Sequence, residues 1–142
     1  MLNIEGISAS YGDLRVLFDV SLHVDQGEVV CLVGSNGAGK TTLLQIISGL
    51  MPVTAGRITF NGIDLLSKSP HHRAELGIAH IPQGRGILGT LTVKENLIMG
   101  AYTKNVRKNY EANQKKVFNL FPILKERQNQ MAGTLSGGEQ QM

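Results

Sequence analysis

The chain has 142 residues, 42% of them hydrophobic and 18% charged, with a net charge of +3 and a pI near 9.2. That length suffices for one domain with a real core, and the balance excludes a disordered chain, a collagen-like array and a membrane-spanning one. A lone cysteine, Cys31, excludes an internal disulfide and fits a reducing compartment.

The chain opens Met1-Leu2-Asn3-Ile4-Glu5, with neither the basic nor the apolar region of a signal peptide, so a cytosolic location is expected. The first third reads as short strands. Residues 2–10 alternate loosely, residues 15–24 form a second β-like run, and residues 28–33 are almost wholly apolar, as in a strand covered on both faces. Cys31, within that run, is expected to be a small buried hydrophobe. A glycine-rich turn follows. Residues 40–50 then carry a helical pattern, with Gly49 and Pro52 marking its end.

Residues 56–62 predict another strand. Residues 70–76 predict a short helix with Ser69 as N-cap, and residues 78–81 a brief apolar strand. Thr92-Val93-Lys94-Glu95 fits a capping box opening a helix toward Tyr102. Residues 104–131 read as polar and helical, with Val106, Tyr110, Val117 and Phe121 as a buried stripe.

The string Gly34-Ser35-Asn36-Gly37-Ala38-Gly39-Lys40-Thr41 satisfies the G-x4-G-K-[ST] pattern in full. A chance match in a chain of this length is on the order of 1%, and the position between a predicted strand and a helix lowers it further. Glycines let backbone N–H groups curl round phosphate oxygens, and the following helix points its positive end at them. Lys40 brings a mobile charge to the terminal phosphates. The Thr41 hydroxyl suits Mg²⁺, and Thr42 adds a hydroxyl nearby. A merely structural glycine turn has no need of Lys then Thr.

A second informative string is Leu135-Ser136-Gly137-Gly138-Glu139. Ser136 and Glu139 form an S-x-x-E capping box, which places a helix start at two glycines. Each glycine costs a helix about 1 kcal/mol relative to alanine. That cost is reasonable if a large anion must approach the bare N–H groups, and without a lysine it would be an anion held mainly by another surface.

The two strings, about a hundred residues apart, together resemble ATP-binding cassette ATPases, and the resemblance covers residues 1–142. It implies an α/β P-loop NTPase fold: an N-terminal β-subdomain with a partial parallel-sheet core over residues 1–91, and the start of a helical subdomain over residues 92–142. It places Gln83 as a Q-loop glutamine reaching Mg²⁺ and Tyr11 as the aromatic that stacks on adenine. It implies ATP bound by Gly34 to Thr42, with Ser136, Gly137 and Gly138 reaching the ATP of a second subunit in a head-to-tail dimer.

The strings Gly77-Ile78-Ala79-His80-Ile81-Pro82-Gln83-Gly84-Arg85 and Leu91 to Leu97 look more closely like ATPases of branched-chain amino-acid importers. Gly86 and Leu88 depart from that subgroup, whose members often carry arginine and phenylalanine there. The resemblance then implies permease subunits in the membrane, an indirectly linked substrate-binding protein, and a peripheral place on the inner face of the cell membrane. ATPases of urea or short-amide importers, and soluble cassette ATPases acting on ribosomes or DNA, are the alternatives.

Such ATPases carry an apolar strand ending in Asp-Glu after the serine-glycine string, and residues 1–142 contain no such run. The catalytic glutamate is therefore expected to be missing, and with it ATP turnover. The resemblance also implies absent sheet strands, whose loss would leave apolar faces and strand edges unpaired, so residues 1–142 alone are expected to fold poorly. His23, His71, His72 and His80 lack metal-ligand spacing. Seven of the 14 cations lie at 104–127, but only Tyr102 and Tyr110 are near enough to stack on bases, which speaks against nucleic-acid binding.

Overall fold

The computed structural model describes residues 1–84 and 86–142, with only the backbone of Asn105; Arg85, part of the resemblance above, lies outside the described residues. The chain divides into two units, Met1–His80 and Ile81–Met142.

In the first unit, β1 (Leu2–Tyr11) and β2 (Leu14–Val24) form an antiparallel hairpin closed by Gly12 and Asp13. Two further strands, β3 (Ala55–Phe60) and β4 (Ile63–Asp64), complete a sheet of order β2-β1-β3-β4, antiparallel throughout. The loose alternation of β1 has a physical cause. Ile4 is buried, but the next buried apolar residues, Ile7 and Ala9, lie on the opposite parity. A register shift between Ile4 and Ile7 inserts the extra residue that turns them back onto the same face.

Helix α1 (Lys40–Ser48) lays Leu43 and Ile46 on that face, in one cluster with Ile4, Ile7, Leu17, Ile58 and Leu65. Fully burying each such side chain is worth about 1.5–3 kcal/mol. The helix stops at Gly49 in the left-handed conformation. Leu50 N–H donates to Gln45 O at 2.8 Å and Gly49 N–H to Ile46 O at 3.0 Å, the paired bonds of a Schellman cap. Helix α2 (Pro70–Glu75) follows, capped by the Ser69 hydroxyl as its sequence predicts.

The second unit holds α3 (Val93–Gly100), α4 (Lys104–Arg107), α5 (Tyr110–Leu120) and α6 (Pro122–Glu126). Val93, Leu124 and Leu135 form its core, with Leu97, Val117, Phe118, Phe121 and Ile123 packed around them. The stretch expected to be one helical run over 104–131 breaks twice and stops at Glu126, residues 127–131 being turn, bend and an isolated bridge. Phe121 leaves the helical region (φ −130°, ψ 76°) before Pro122, whose ring disfavours helix in the preceding residue, and Lys108 and Asn109 separate α4 from α5. The breaks change the helical phase, so Val117 and Phe121 reach the core while Val106 is exposed.

Further expectations are corrected. Residues 28–33 and 78–81 are not strands, and among the described residues no parallel pair exists. A strand needs a neighbour to hydrogen-bond, and none lies beside residues 28–33. Val29 and Val33 are accordingly 90% and 93% exposed, and Cys31 is exposed rather than buried. Finally, the helix expected after Ser136 is a single 3₁₀ turn over Glu139–Gln141.

The capping box of α3 is complete. Glu95 N–H donates to the Thr92 hydroxyl at 3.2 Å, and the Glu95 carboxylate accepts from Thr92 N–H and from its hydroxyl, both at 2.7 Å. These bonds, the backbone one foremost, hold the Glu95 pKa below the usual carboxylate value. A depressed folded pKa adds stability above the unfolded value, and this is lost as pH falls through the folded one. Thr92→Ala should cost about 1 kcal/mol in urea unfolding at pH 7. The deficit should shrink at acid pH, where Glu95 is protonated; a deficit that does not vary with pH would contradict this account of the cap.

Candidate functional site

The residues from Gly34 to Thr42 form a contiguous loop and first helical turn. Ala38 N–H donates to Ser35 O at 3.2 Å, tightening the loop, and the first bond of α1 runs from Leu43 N–H to Gly39 O at 2.9 Å. The amides of Lys40, Thr41 and Thr42 precede that bond and have no acceptor within the helix. The cap residue Gly39 offers no side-chain acceptor, and no acidic residue lies in the first turn. The helix therefore presents unneutralised N–H groups and its positive end toward the loop, an arrangement suited to an anion.

Lys40 bends back over the loop. Its ammonium donates to Gly34 O at 2.8 Å and Ser35 O at 2.7 Å. An ammonium has three donors, so one remains for a ligand while two carbonyls hold the charge in place. Thr41 is exposed, as a metal-facing hydroxyl needs to be, whereas Thr42 is only 7% exposed.

Gly39 is required twice over. Its φ is +84°, and a Cβ added there would stand 2.5 Å from Leu17 Cδ2 and 3.2 Å from Val16 O. Strand β2 thus runs so close beneath the loop that only a bare Cα fits. Gly37 has the same φ of +84°, but nothing lies within 4 Å of its missing Cβ.

Tyr11 is 53% exposed and donates its hydroxyl to Gln45 Oε1 of α1 at 3.1 Å, leaving much of its surface open to solvent. Gln45 carried no signal in the sequence, because it becomes relevant only when β1 and α1 pack together.

In the other unit, Gln83 is exposed in a turn with Gly84. Ser136 N–H donates to the Glu139 carboxylate at 2.8 Å, and Glu139 N–H returns to the Ser136 hydroxyl at 3.4 Å. Arg127 adds an ion pair at 3.2 Å. Hydrogen bonds from Ser136, with Arg127 assisting, hold the Glu139 pKa below its ordinary value. The Gln140 amide donates to Leu135 O at 2.9 Å and to Ala132 O and Gly133 O at 3.2 Å, fastening the chain just before Ser136. Gly138 has ordinary helical dihedrals and open space where a Cβ would be. Neither its backbone nor packing by the described residues demands a glycine there.

The profile of the family described as ABC transporter matches residues 17–142. The chain belongs to the ABC transporter family. This ABC chain is 44% identical, over 142 residues, to the high-affinity branched-chain amino acid transport ATP-binding protein BraG of Pseudomonas aeruginosa, covering all of this chain and 60% of that protein. It is 41% identical over 145 residues to the probable branched-chain amino acid transport ATP-binding protein LivF of Archaeoglobus fulgidus, again with 100% and 60% coverage. A solved ATP-binding subunit of an ABC transporter superposes with a TM-score of 0.82 at 31% identity, over 99% of this chain and 58% of that one. The chain thus spans about 60% of the length of the curated relatives it matches. The likeness to the solved ATP-binding subunit establishes the ABC nucleotide-binding fold, present here as an α/β part with an open sheet.

The two loop glycines make a differential prediction. Gly37→Ala meets only an unfavourable φ and should cost about 1–2 kcal/mol in chemical denaturation. Gly39→Ala adds a collision with Leu17 and should cost clearly more. Equal costs would show that β2 does not press on the loop as described.

Proposed function

We propose that this chain is the MgATP-binding part of an ATPase subunit that powers an ABC importer of branched-chain amino acids. The observation that carries the reading is Lys40 held over a glycine loop beside the uncapped amides of α1. That combination offers a charge, a set of aligned N–H donors and an exposed Thr41 hydroxyl to a nucleotide's phosphates and its Mg²⁺. Tyr11, tied to α1 through Gln45, is the surface for adenine.

In this reading, residues 1–91 carry the phosphate loop and residues 92–142 begin the helical subdomain. Gln83 is the group that senses the bound Mg²⁺. Ser136, Gly137 and Gly138 address the ATP of a second ABC subunit packed head to tail. The open space at Gly138 supports this, since a glycine with no local reason to be one suits an anion approaching from outside the chain. Permease subunits would hold the ATPase on the inner face of the membrane, with a substrate-binding protein as a more distant partner. Among the described residues no helix is long and apolar enough to cross a membrane. The names of BraG and LivF favour branched-chain amino acids as the cargo.

Charge-assisted hydrogen bonds are worth about 1.5–3 kcal/mol, so Lys40→Ala should weaken a fluorescent ATP analogue about 10- to 100-fold in a titration with Mg²⁺. Unchanged affinity would reject the nucleotide reading. Loss of leucine uptake on deleting the gene, restored by the wild-type gene and not by the Lys40→Ala form, tests the cargo.

A further inference from the structure

The phosphate loop is formed at one end of α1, and an unusual arrangement holds the other end. Arg73, on α2, is only 5% exposed although it carries a full charge. Its guanidinium donates from Nη1 to Ile46 O at 2.5 Å and Ile47 O at 3.0 Å, and from Nε to Lys68 O at 3.0 Å. The first two acceptors belong to the last turn of α1, where carbonyls are left without intrahelical donors and the helix dipole is negative. No basic residue of α1 itself serves that turn.

The fit is close. A Cβ on Gly49 would lie 2.9 Å from Arg73 Nε and 3.0 Å from its Cζ, so the Gly49 cap and the guanidinium occupy adjoining space. Burial lowers the Arg73 pKa and nearby Asp64 opposes that shift, while among the described residues the cation is satisfied by a fork of carbonyls rather than by a contacting carboxylate.

We propose that Arg73 is a positioning residue for the phosphate loop: by gripping the carboxyl end of α1 it sets the axis along which the first-turn amides and Lys40 face a nucleotide. A helix of nine residues is about 13 Å long and moves as one rod. A tilt permitted at the Ile46–Ile47 end therefore displaces the amides at the Lys40 end. Leu43 and Ile46 anchor the apolar face of the rod but leave its polar terminus to Arg73. The proposal rests on the nucleotide reading above.

The test uses the whole chain with four substitutions, Arg73→Met, Arg73→Lys, Lys40→Ala and Ile58→Val. The readouts are affinity for a fluorescent ATP analogue with Mg²⁺ and hydrogen exchange of the 34–44 segment without nucleotide. Arg73→Met should weaken the analogue roughly tenfold per folded molecule, the scale of about one hydrogen bond lost from the displaced amides, and should speed exchange at 34–44. Arg73→Lys keeps the charge but not the fork, and should recover part of both. Ile58→Val, a core truncation in β3, should lower the melting temperature and move neither readout.

Wild-type affinity and exchange in Arg73→Met, or equal losses in Ile58→Val, would overturn the proposal. If Arg73→Met fails to fold, Arg73→Lys decides it by the same two readouts. Indifference of the analogue to Lys40→Ala would instead fail the nucleotide reading, and the exchange at 34–44 then decides the role of Arg73 alone.

Discussion

A helix that offers its amino end to an anion cannot use a capping side chain there, because the cap would occupy the site. In α1 the cap residue is Gly39, and the first-turn amides have no acceptor inside the helix. Stability must then come from elsewhere along the rod. Leu43 and Ile46 supply it from the apolar face, and the Gly49 cap with the Arg73 fork supplies it at the carboxyl end. The rest of the amino-terminal unit is arranged around that requirement. The sheet provides the face on which α1 lies, and β2 sets the floor beneath the loop.

Lys40 faces a related constraint. A flexible ammonium left in solvent would sample many positions and lose entropy on meeting a ligand. Its bonds to Gly34 O and Ser35 O hold it over the loop, where the proposed nucleotide reading puts phosphate, and both acceptors belong to the loop itself. The loop is thus closed by its own cation, and Gly39 can approach Leu17 because it carries no side chain.

The second unit solves a different problem, that of presenting a glycine-rich turn without a long helix to support it. Ser136 and Glu139 cap one another, Arg127 balances the carboxylate, and Gln140 ties three preceding carbonyls together. Segment 130–132 is in turn hydrogen-bonded to 91–93 at the start of α3, with Thr92 facing Met131. A loop bonded to the capped end of a helix keeps its shape at modest cost in buried area.

What the sequence determined by itself was local. Glycine spacing, the lysine and threonine after it, Ser69 before Pro70, and Thr92 three residues before Glu95 each act through neighbours within a few positions, so pattern and structure coincide. What only tertiary structure decided is long-range: the parity change in β1, the bond from Tyr11 to Gln45, the burial of Arg73 against α1, and the unpaired state of residues 28–33 despite their strand-like composition. An apolar run has the propensity for a strand, but the hydrogen bonds that make it one belong to a neighbour. A cation on a short helix likewise looks like any surface charge until another helix end arrives to accept from it.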